Sequence, residues 1–433
     1  MRAFPLAGLS VVLICSAGFA AEPGAKRAKW YVDEAGCKFV AMYPVDITRP
    51  MFTFTGKCVD GFVAGRGEVV LLDGSGNTYR GEFQQGRMVK GVLDMAQGTY
   101  EGEMRDNQVH GQGTLTLRAG PIFKGRFEDG RPAGHTGEVT LPGGARYAGA
   151  LDMQTLSPQG KGILYYGDGA IFVGEFMAGN KHVGTMKHAD GTVAQGTFVG
   201  GLMQGNGRIE WASGAWYEGE VQATQPQGRG HMERPTGEVY DGDFVNGYYH
   251  GKGTVSTARG DSYVGDFVLG KYHGKGEFKY ANGDIQSGEW RDDSLHGKCR
   301  IVTATGKYEG TCIAGRREGY GHWESSATHR TYDGEFKSDR FDGKGTLRTK
   351  TPEGVEVAYE GQFAQGLMEG TGVLTIGGEL RLDGAFKADE FVGGEVSGAG
   401  RTFEVDGQTG SVLEVLPDGS KKALDELPAD LPI

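Results

Sequence analysis

The sequence predicts an all-β fold: an elongated, single-sheet antiparallel β-meander, solenoid-like, of about 15 hairpins. One unit recurs every 23 residues, as between Tyr240 and Tyr263, which indicates a repeat architecture. The chain contains 78 glycines and 10% aromatic residues, a combination that favours short strands and tight turns. Within a unit, two apolar runs flank a Gly/Asn/Asp turn, which is the pattern of a β-hairpin.

The first 20 residues predict a secretory signal peptide. Arg2 supplies a basic start, an apolar run continues to Ile14, and small residues precede a cleavage site before Ala21. The run is too short to span a bilayer, and a buried apolar strand is the alternative. We therefore expect an exported protein, either periplasmic or secreted.

The remaining chain divides into three segments by pattern. Residues 21–53 form a polar lead-in and one strand of an N-terminal disulfide hairpin, and residues 54–395 contain the repeats. Residues 396–433 lose the pattern and are expected to form a C-terminal cap or tail. Within that tail, Lys421 to Leu427 predicts one short helix.

The repeats align on an aromatic-x-Gly-x-apolar motif that occurs 15 times, with the central glycine present every time. Side chains alternate along a strand, so Tyr240, Gly242 and Phe244 share one face while Asp241 and Asp243 point to the other. A glycine between two aromatic residues allows their rings to lie flat over it; a bulge or bend is a compatible alternative. The motifs begin at Phe54, Tyr79, Tyr100, Phe123, Tyr147, Phe172, Ala194, Tyr217, Tyr240, Tyr263, Gln286, Tyr308, Tyr332, Tyr359 and Leu382.

The segments YDGDFVNGYYHGKG and YVGDFVLGKYHGKG resemble the MORN (membrane occupation and recognition nexus) repeat. The resemblance covers about residues 50 to 395. It implies an elongated antiparallel β-meander, and it implies a role as a scaffold, dimerisation element or membrane-associated adaptor. The motif loses its aromatic residue at Ala194 and Gln286, the unit around Tyr100 is short, and the unit around Tyr359 carries an insertion. The local register or curvature is therefore expected to depart from the pattern near residues 90, 190 and 355.

Four cysteines follow the leader, and in an exported protein they suggest disulfides, for which three connectivities exist. Cys299 and Cys312 flank a hairpin centred on Thr305 and Gly306, so they would face each other. Cys37 and Cys58 likewise bracket two strand-like runs. The pairs Cys37–Cys58 and Cys299–Cys312 are therefore predicted.

Charge and motif content exclude several functions. Without the leader the chain carries 44 basic and 56 acidic side chains, a net charge of −12, because Arg2 is the one charged residue removed. This balance disfavours nucleic acid as a partner. The glycines lie between strands and do not open a helix, so they predict no nucleotide site. We expect no cofactor and no catalytic residues, and hence no enzyme.

Two ladders of polar residues recur with the repeat. His250, His273 and His296 each precede a glycine and are spaced 23 residues apart. His110 occupies the same position in its own unit. Equivalent positions of successive hairpins lie about 10 Å apart, whereas ligands bind one metal ion at about 2 Å, so no metal site is predicted. The lysines of the second ladder are predicted to be solvated, with anionic head groups as the alternative; they are Lys252, Lys275, Lys298 and Lys344.

A single sheet cannot bury its aromatic face alone, so either neighbouring units cover one another or another molecule covers the face. We expect a non-enzymatic exported scaffold that binds a protein partner or a second copy through this face. The alternative is a ligand-binding surface for anionic lipid head groups or cell-wall glycan. The residues predicted to contact the partner are Tyr217, Tyr240, Phe244, Tyr263, Phe267, Trp290, Tyr308, Tyr332 and Phe336.

Overall fold

The computed structural model describes residues 29–41, 51–118, 120–141 and 143–428, and the predicted signal peptide lies outside them. The chain divides into two compact units, Met1–Gln225 and Pro226–Ile433. Within the described residues there are 37 strands and no helix, in agreement with the predicted β-meander.

The first unit contains nineteen strands. They are β1 (Lys29–Val32), β2 (Lys38–Ala41), β3 (Phe52–Phe54), β4 (Lys57–Val59), β5 (Phe62–Leu71), β6 (Thr78–Gln84), β7 (Arg87–Met95), β8 (Gly98–Arg105), β9 (Gln108–Leu117), β10 (Ile122–Glu128), β11 (Arg131–Pro132), β12 (Thr136–Thr140), β13 (Arg146–Asp152), β14 (Ser157–Tyr165), β15 (Ile171–Met177), β16 (Asn180–Lys187), β17 (Val193–Val199), β18 (Leu202–Glu210) and β19 (Trp216–Gln222).

The second unit contains the other eighteen strands, the first of which begins one residue before the boundary. They are β20 (Gln225–Glu233), β21 (Val239–Val245), β22 (Tyr248–Ser256), β23 (Ser262–Val268), β24 (Lys271–Lys279), β25 (Ile285–Arg291), β26 (Ser294–Thr303), β27 (Gly306–Ile313), β28 (Arg316–Ser325), β29 (Thr331–Lys337), β30 (Arg340–Lys350), β31 (Glu356–Ala364), β32 (Leu367–Ile376), β33 (Leu380–Lys387), β34 (Glu390–Gly398), β35 (Arg401–Val405), β36 (Val412–Val415) and β37 (Lys421–Leu424).

Consecutive strands of the second unit pair antiparallel through alternating narrow and wide turns. The narrow turn between β21 and β22 is Asn246–Gly247, where both φ angles are positive, 50° and 82°. A two-residue turn of this kind matches the twist of a hairpin and favours the Asn-Gly pair. The wide turn between β22 and β23 is closed by the Thr257 amide, which donates to the Asp261 carbonyl at 2.9 Å.

A β-bulge follows the central glycine in many units. The register shifts between Gly242 and Asp243 in β21 and between Gly265 and Asp266 in β23. A bulge bends its strand and increases the local twist. Where it is repeated at the same position in successive hairpins, the bulge therefore twists the sheet locally in a regular way.

Neighbouring units cover one another's aromatic rings. The Tyr240 ring contacts Phe244 of its own strand at a centroid distance of 5.1 Å and Phe267 of the next unit at 5.2 Å. Tyr332 contacts Phe363 in the same way, at 5.1 Å. Of the two ways to cover the aromatic face that the sequence left open, the structure adopts mutual coverage.

The N-terminal strands of the first unit build a small cap. Strands β3 and β4 pair with β5, and β2 pairs with β5 in parallel at Lys38 and Phe62. Phe39 packs against Phe52 and Tyr79, both at 5.6 Å. The Cys37–Cys58 disulfide, one of the two predicted pairs, links this cap internally.

The predicted helix from Lys421 to Leu427 is wrong. Residues Lys421–Leu424 form β37, which pairs with β36 so that Leu424 lies opposite Val412. The edge of β36 offers hydrogen-bond partners, and pairing there outweighs the helical propensity of a short segment. Leu424 and Leu427 pack on a core that consists of Leu380, Val396, Phe403 and Val412.

Candidate functional site

The nine rings predicted to contact a partner are all buried. Their exposed fractions range from 0% for Tyr217, Tyr240, Tyr263 and Tyr332 to 5% for Trp290. Phe244, Phe267, Tyr308 and Phe336 lie between these limits. The expectation that these rings form the contact surface does not fit their burial, because rings of neighbouring units pack against one another and form the core.

Tyr240, like Tyr263 and Tyr332, lies across two glycines. A Cβ atom placed on Gly253 would lie 2.4 Å from the Tyr240 hydroxyl oxygen and 2.6 Å from the ring, so a larger residue would collide. That hydroxyl donates to the carbonyls of Asp243 at 2.9 Å and His250 at 3.3 Å. Burial, and next the nearby Asp243 carboxylate, raise the pKa of Tyr240.

A second row of rings, which the sequence analysis did not single out, lies on the first. Tyr249 stacks on Tyr240 at 3.8 Å, and Tyr272 stacks on Tyr263 at 3.9 Å. The available signal was the tyrosine two residues after each narrow turn, in GYYHG and GKYHG. Because side chains alternate between the two faces of a strand, this tyrosine lies on the same face as the core tyrosines.

This second row borders a groove of about 360 Å³ in the second unit. Tyr248, Tyr249 and Tyr272 supply aromatic surface, and Glu238 and Asp293 supply carboxylates. Tyr248 is 57% exposed, whereas Tyr249 is buried and Tyr272 is half-buried. We call this the tyrosine groove.

An arginine already occupies one end of the tyrosine groove. The Arg234 guanidinium lies 5.5 Å from the centre of the Tyr249 ring, and its Nε is 3.4 Å from the Glu238 carboxylate. The Tyr249 hydroxyl donates to the same carboxylate at 2.7 Å. Burial, followed by this bonded carboxylate, raises the pKa of Tyr249.

The other end, at Tyr272, is acidic. The Tyr272 amide donates to Asp293 Oδ1 at 2.8 Å. Burial raises the pKa of the Tyr272 hydroxyl to about 12, with smaller contributions from the negative charges of Asp293, Glu238 and Asp261. The negative charge of Asp293, which lines this end of the groove, favours a positively charged group there.

Two units without an aromatic residue at the first motif position, those at Ala194 and Gln286, fill its place differently. At Ala194, the Met203 sulfur lies over the glycine pair, 2.9 Å from a Cβ placed on either Gly196 or Gly207. At Gln286, the partner-strand glycine is replaced by Cys299, which lies opposite Gly288. Cys299 is bonded to Cys312, the second of the predicted pairs.

The histidine and lysine ladders lie where the repeat predicts, and they differ in their contacts. The His250 and His273 carbonyls accept the tyrosine hydroxyls of their own units. Lys252 is ion-paired with Asp266 at 2.7 Å. Across the described ranges, no group of three or more His, Cys, Asp or Glu could hold a metal ion. Nor does any helix among those residues have the length and hydropathy to cross a membrane.

The hairpins, their glycine–tyrosine core and their mutual coverage define a β-hairpin repeat protein. The MORN repeat family model matches nine segments between residues 79 and 377, and the chain is accordingly a MORN repeat protein. The matched segments are 79–99, 100–120, 195–216, 217–239, 240–262, 263–285, 287–307, 332–350 and 359–377.

No curated protein matches the chain. Among solved structures, a virginiamycin B lyase from Staphylococcus aureus is 11% identical over 61% of this chain and 90% of that chain, with a TM-score of 0.10. PorZ, a surface component of the type-IX secretion system of Porphyromonas gingivalis, is 11% identical over 79% of this chain and 52% of that chain, also with a TM-score of 0.10. Likenesses this weak carry no argument about function.

Proposed function

We propose that this MORN repeat protein is a non-enzymatic, exported scaffold that binds a protein partner or a second copy of itself through the tyrosine groove. The observation that carries the proposal is the combination of exposed aromatic surface and carboxylates in one groove on a regular sheet. Tyrosine is enriched at protein interfaces because its ring packs while its hydroxyl remains hydrated.

The groove replaces the deep aromatic face as the proposed contact surface. Tyr248 and Leu269, which are 57% and 61% exposed, lie at the narrow turns of adjacent hairpins. Large apolar side chains that recur at one edge of a sheet enlarge the surface that a partner can cover. The rigid core tyrosines beneath would hold this surface in place without rearrangement on binding.

Export is part of the proposal. The leader predicted in residues 1–20 would direct the chain out of the cytosol. The two disulfides support the same assignment, since such bonds persist mainly in oxidising compartments.

Site-specific photo-crosslinking in the native host tests the contact surface. A photoreactive phenylalanine analogue replaces Tyr248, which is 57% exposed in the groove. The matched control carries the analogue at Val264, which is 56% exposed and lies outside the tyrosine groove, beside Asp241 and Lys252. We expect discrete crosslinked species from position 248 and none of the same mass from position 264.

The outcomes separate the alternatives. A crosslink between two differently tagged copies identifies self-association, and a crosslink to one other protein identifies a partner. Absence of crosslinks from position 248, with a strict monomer in light scattering, would refute the scaffold proposal. Co-flotation with anionic vesicles, or retention on cell-wall glycan, would instead favour the ligand-binding alternative, and lipid binding should weaken with salt.

A further inference from the structure

A cation over an aromatic ring beside a carboxylate recurs in this chain. Arg234 lies over Tyr249 and contacts Glu238, as described above. Arg146 lies 4.4 Å from the Tyr165 ring centre and 3.6 Å from Glu138. Arg317 lies 5.4 Å from the Phe336 ring centre and 3.3 Å from Asp339. In these three places, a ring with an adjacent carboxylate binds a guanidinium group.

The 23-residue period shows where such a site lacks its cation. In the next unit, Tyr272 occupies the position equivalent to Tyr249, and Asp261 occupies the position equivalent to Glu238. Both the ring and the carboxylate are therefore retained. The position equivalent to Arg234 is Thr257, so the next unit lacks the guanidinium group. We call Tyr272, Asp261 and Asp293 the open seat.

A second comparison leads to the same position. Asp293 and Asp339 are equivalent turn residues, and each accepts the backbone amide of the preceding hairpin, from Tyr272 at 2.8 Å and from Arg317 at 2.9 Å. The Arg317 side chain neutralises Asp339. Over the described part of the chain, no Lys, Arg or His side chain comes within 4.0 Å of the carboxylates of Asp261 or Asp293.

From these two internal comparisons we infer that the open seat binds an arginine side chain of the partner polypeptide. The guanidinium plane lies against Tyr272, and its N–H groups donate to Asp261 and Asp293. Arginine suits this seat better than lysine because its planar group both stacks on rings and bonds carboxylates. The inference rests on the proposed function and specifies the partner as a basic segment.

Binding of two labelled peptides to the full-length mature protein tests the inference. The first is acetyl-hexaarginine amide, and the second replaces each arginine with citrulline, which has the same shape without the charge. By fluorescence anisotropy in low salt, we expect the arginine peptide to bind about tenfold more tightly. Equal affinities would overturn the inference.

Variants of the open seat test whether the arginine peptide binds there. Asp261→Asn with Asp293→Asn keeps the acceptors for the Ala281 and Tyr272 amides but removes both charges. Thr257→Arg supplies an internal guanidinium that competes for the seat. We expect each variant to weaken binding of the arginine peptide about fivefold or more.

The matched control is Asp241→Asn with Glu277→Gln, which removes the same net charge from the opposite, polar face. We expect it to change the affinity less than about twofold. An equal loss in the control and in the Asp261/Asp293 variant would mean diffuse attraction to an acidic protein and would overturn the inference. If crosslinks from position 248 persist while the two peptides bind equally, the scaffold proposal stands and this inference falls.

Discussion

The tyrosine hydroxyl connects packing with register in each regular unit. Tyr263, for example, donates to the carbonyls of Asp266 and His273, which face each other on paired strands directly after the bulge. The ring occupies the space that side chains on Gly265 and Gly276 would need. Tyrosine and glycine therefore depend on each other: the ring fills the space and the hydroxyl satisfies buried carbonyls.

Replacement of one such glycine tests this packing. Gly253→Ala would place a methyl group 2.4 Å from the Tyr240 hydroxyl oxygen, and displacement of the buried ring should cost about 1–3 kcal/mol. Faster amide hydrogen exchange in β21 and β22 is the expected result. Gly167→Ala is the control, because a methyl group there meets nothing within 4 Å. Equal exchange in both variants would contradict the packing account.

Alkaline pH should destabilise the fold through its tyrosines. Burial raises the pKa of Tyr100 from 10.0 to about 12, and that of Tyr147 likewise. The folded state therefore holds these protons to higher pH than the unfolded chain does. Their contribution to stability is complete below pH 10 and is lost as the pH rises towards about 12.

Absorbance at 295 nm and far-ultraviolet circular dichroism, recorded during one alkaline titration, measure this effect. We expect one group of tyrosines to ionise above pH 10, over the same pH range in which the strand signal in circular dichroism is lost. Ionisation of all 18 tyrosines near pH 10 with the strand signal intact would contradict it.

At the scale of the element, the unit at Gln286 shows how two departures from the repeat compensate. A tyrosine at position 286 would lie over residue 299, as Tyr240 lies over Gly253. Because residue 286 is glutamine, Cys299 has room for its side chain and reaches Cys312 with a Cα–Cα distance of 5.9 Å. The disulfide and the missing ring are therefore alternatives for the same space.

A rescue experiment tests this relation. Gln286→Tyr alone should clash with the disulfide and lower the free energy of unfolding by about 1–3 kcal/mol. Adding Cys299→Gly and Cys312→Phe should restore a regular unit and recover most of that loss. The measurement is denaturant unfolding of all variants in parallel. If Gln286→Tyr is neutral while the disulfide is intact, the two groups do not compete.

The hairpins and the two disulfide pairs follow from the sequence because turns, alternation and cysteine positions are local signals. The burial of Tyr240 and its equivalents does not follow from the sequence, since it depends on contacts between neighbouring hairpins, such as that of Tyr240 with Phe267. The same limit applies to β37: its segment is short and helix-compatible, and only the unpaired edge of β36 makes it a strand. The position of Tyr272 on the core face could be predicted from the alternation of side chains. Its acidic surroundings could not, because they depend on Asp293 from the next hairpin.

At the scale of the whole molecule, the proposed export rests on the leader pattern and on the covalent links. Cys299 and Cys312 are both buried, so their bond lies within the fold, whereas the Cys37–Cys58 bond joins a buried cysteine to an exposed one. Closing loops with sequence separations of 21 and 13 residues should stabilise each segment by about 3 kcal/mol in the chain-entropy account.

The mature protein should therefore begin at Ala21 and contain no free thiol. Intact mass spectrometry of the exported protein is the measurement, with alkylation before and after reduction. We expect no alkylation before reduction and four additions after it, because Cys15 leaves with the leader. Alkylation without reductant, or retention of residues 1–20, would contradict the export assignment.

The regular spacing of the units has a consequence for inheritance. Tyr240 lies between Met232 and Val255, and Tyr263 lies between Val255 and Phe278, so the two positions have equivalent partners. Unequal recombination that joins their codons would delete 23 codons and leave the remaining strands in register. The gene can therefore gain or lose whole hairpins, and residues that differ between units, such as Thr257, are duplicated or lost with them.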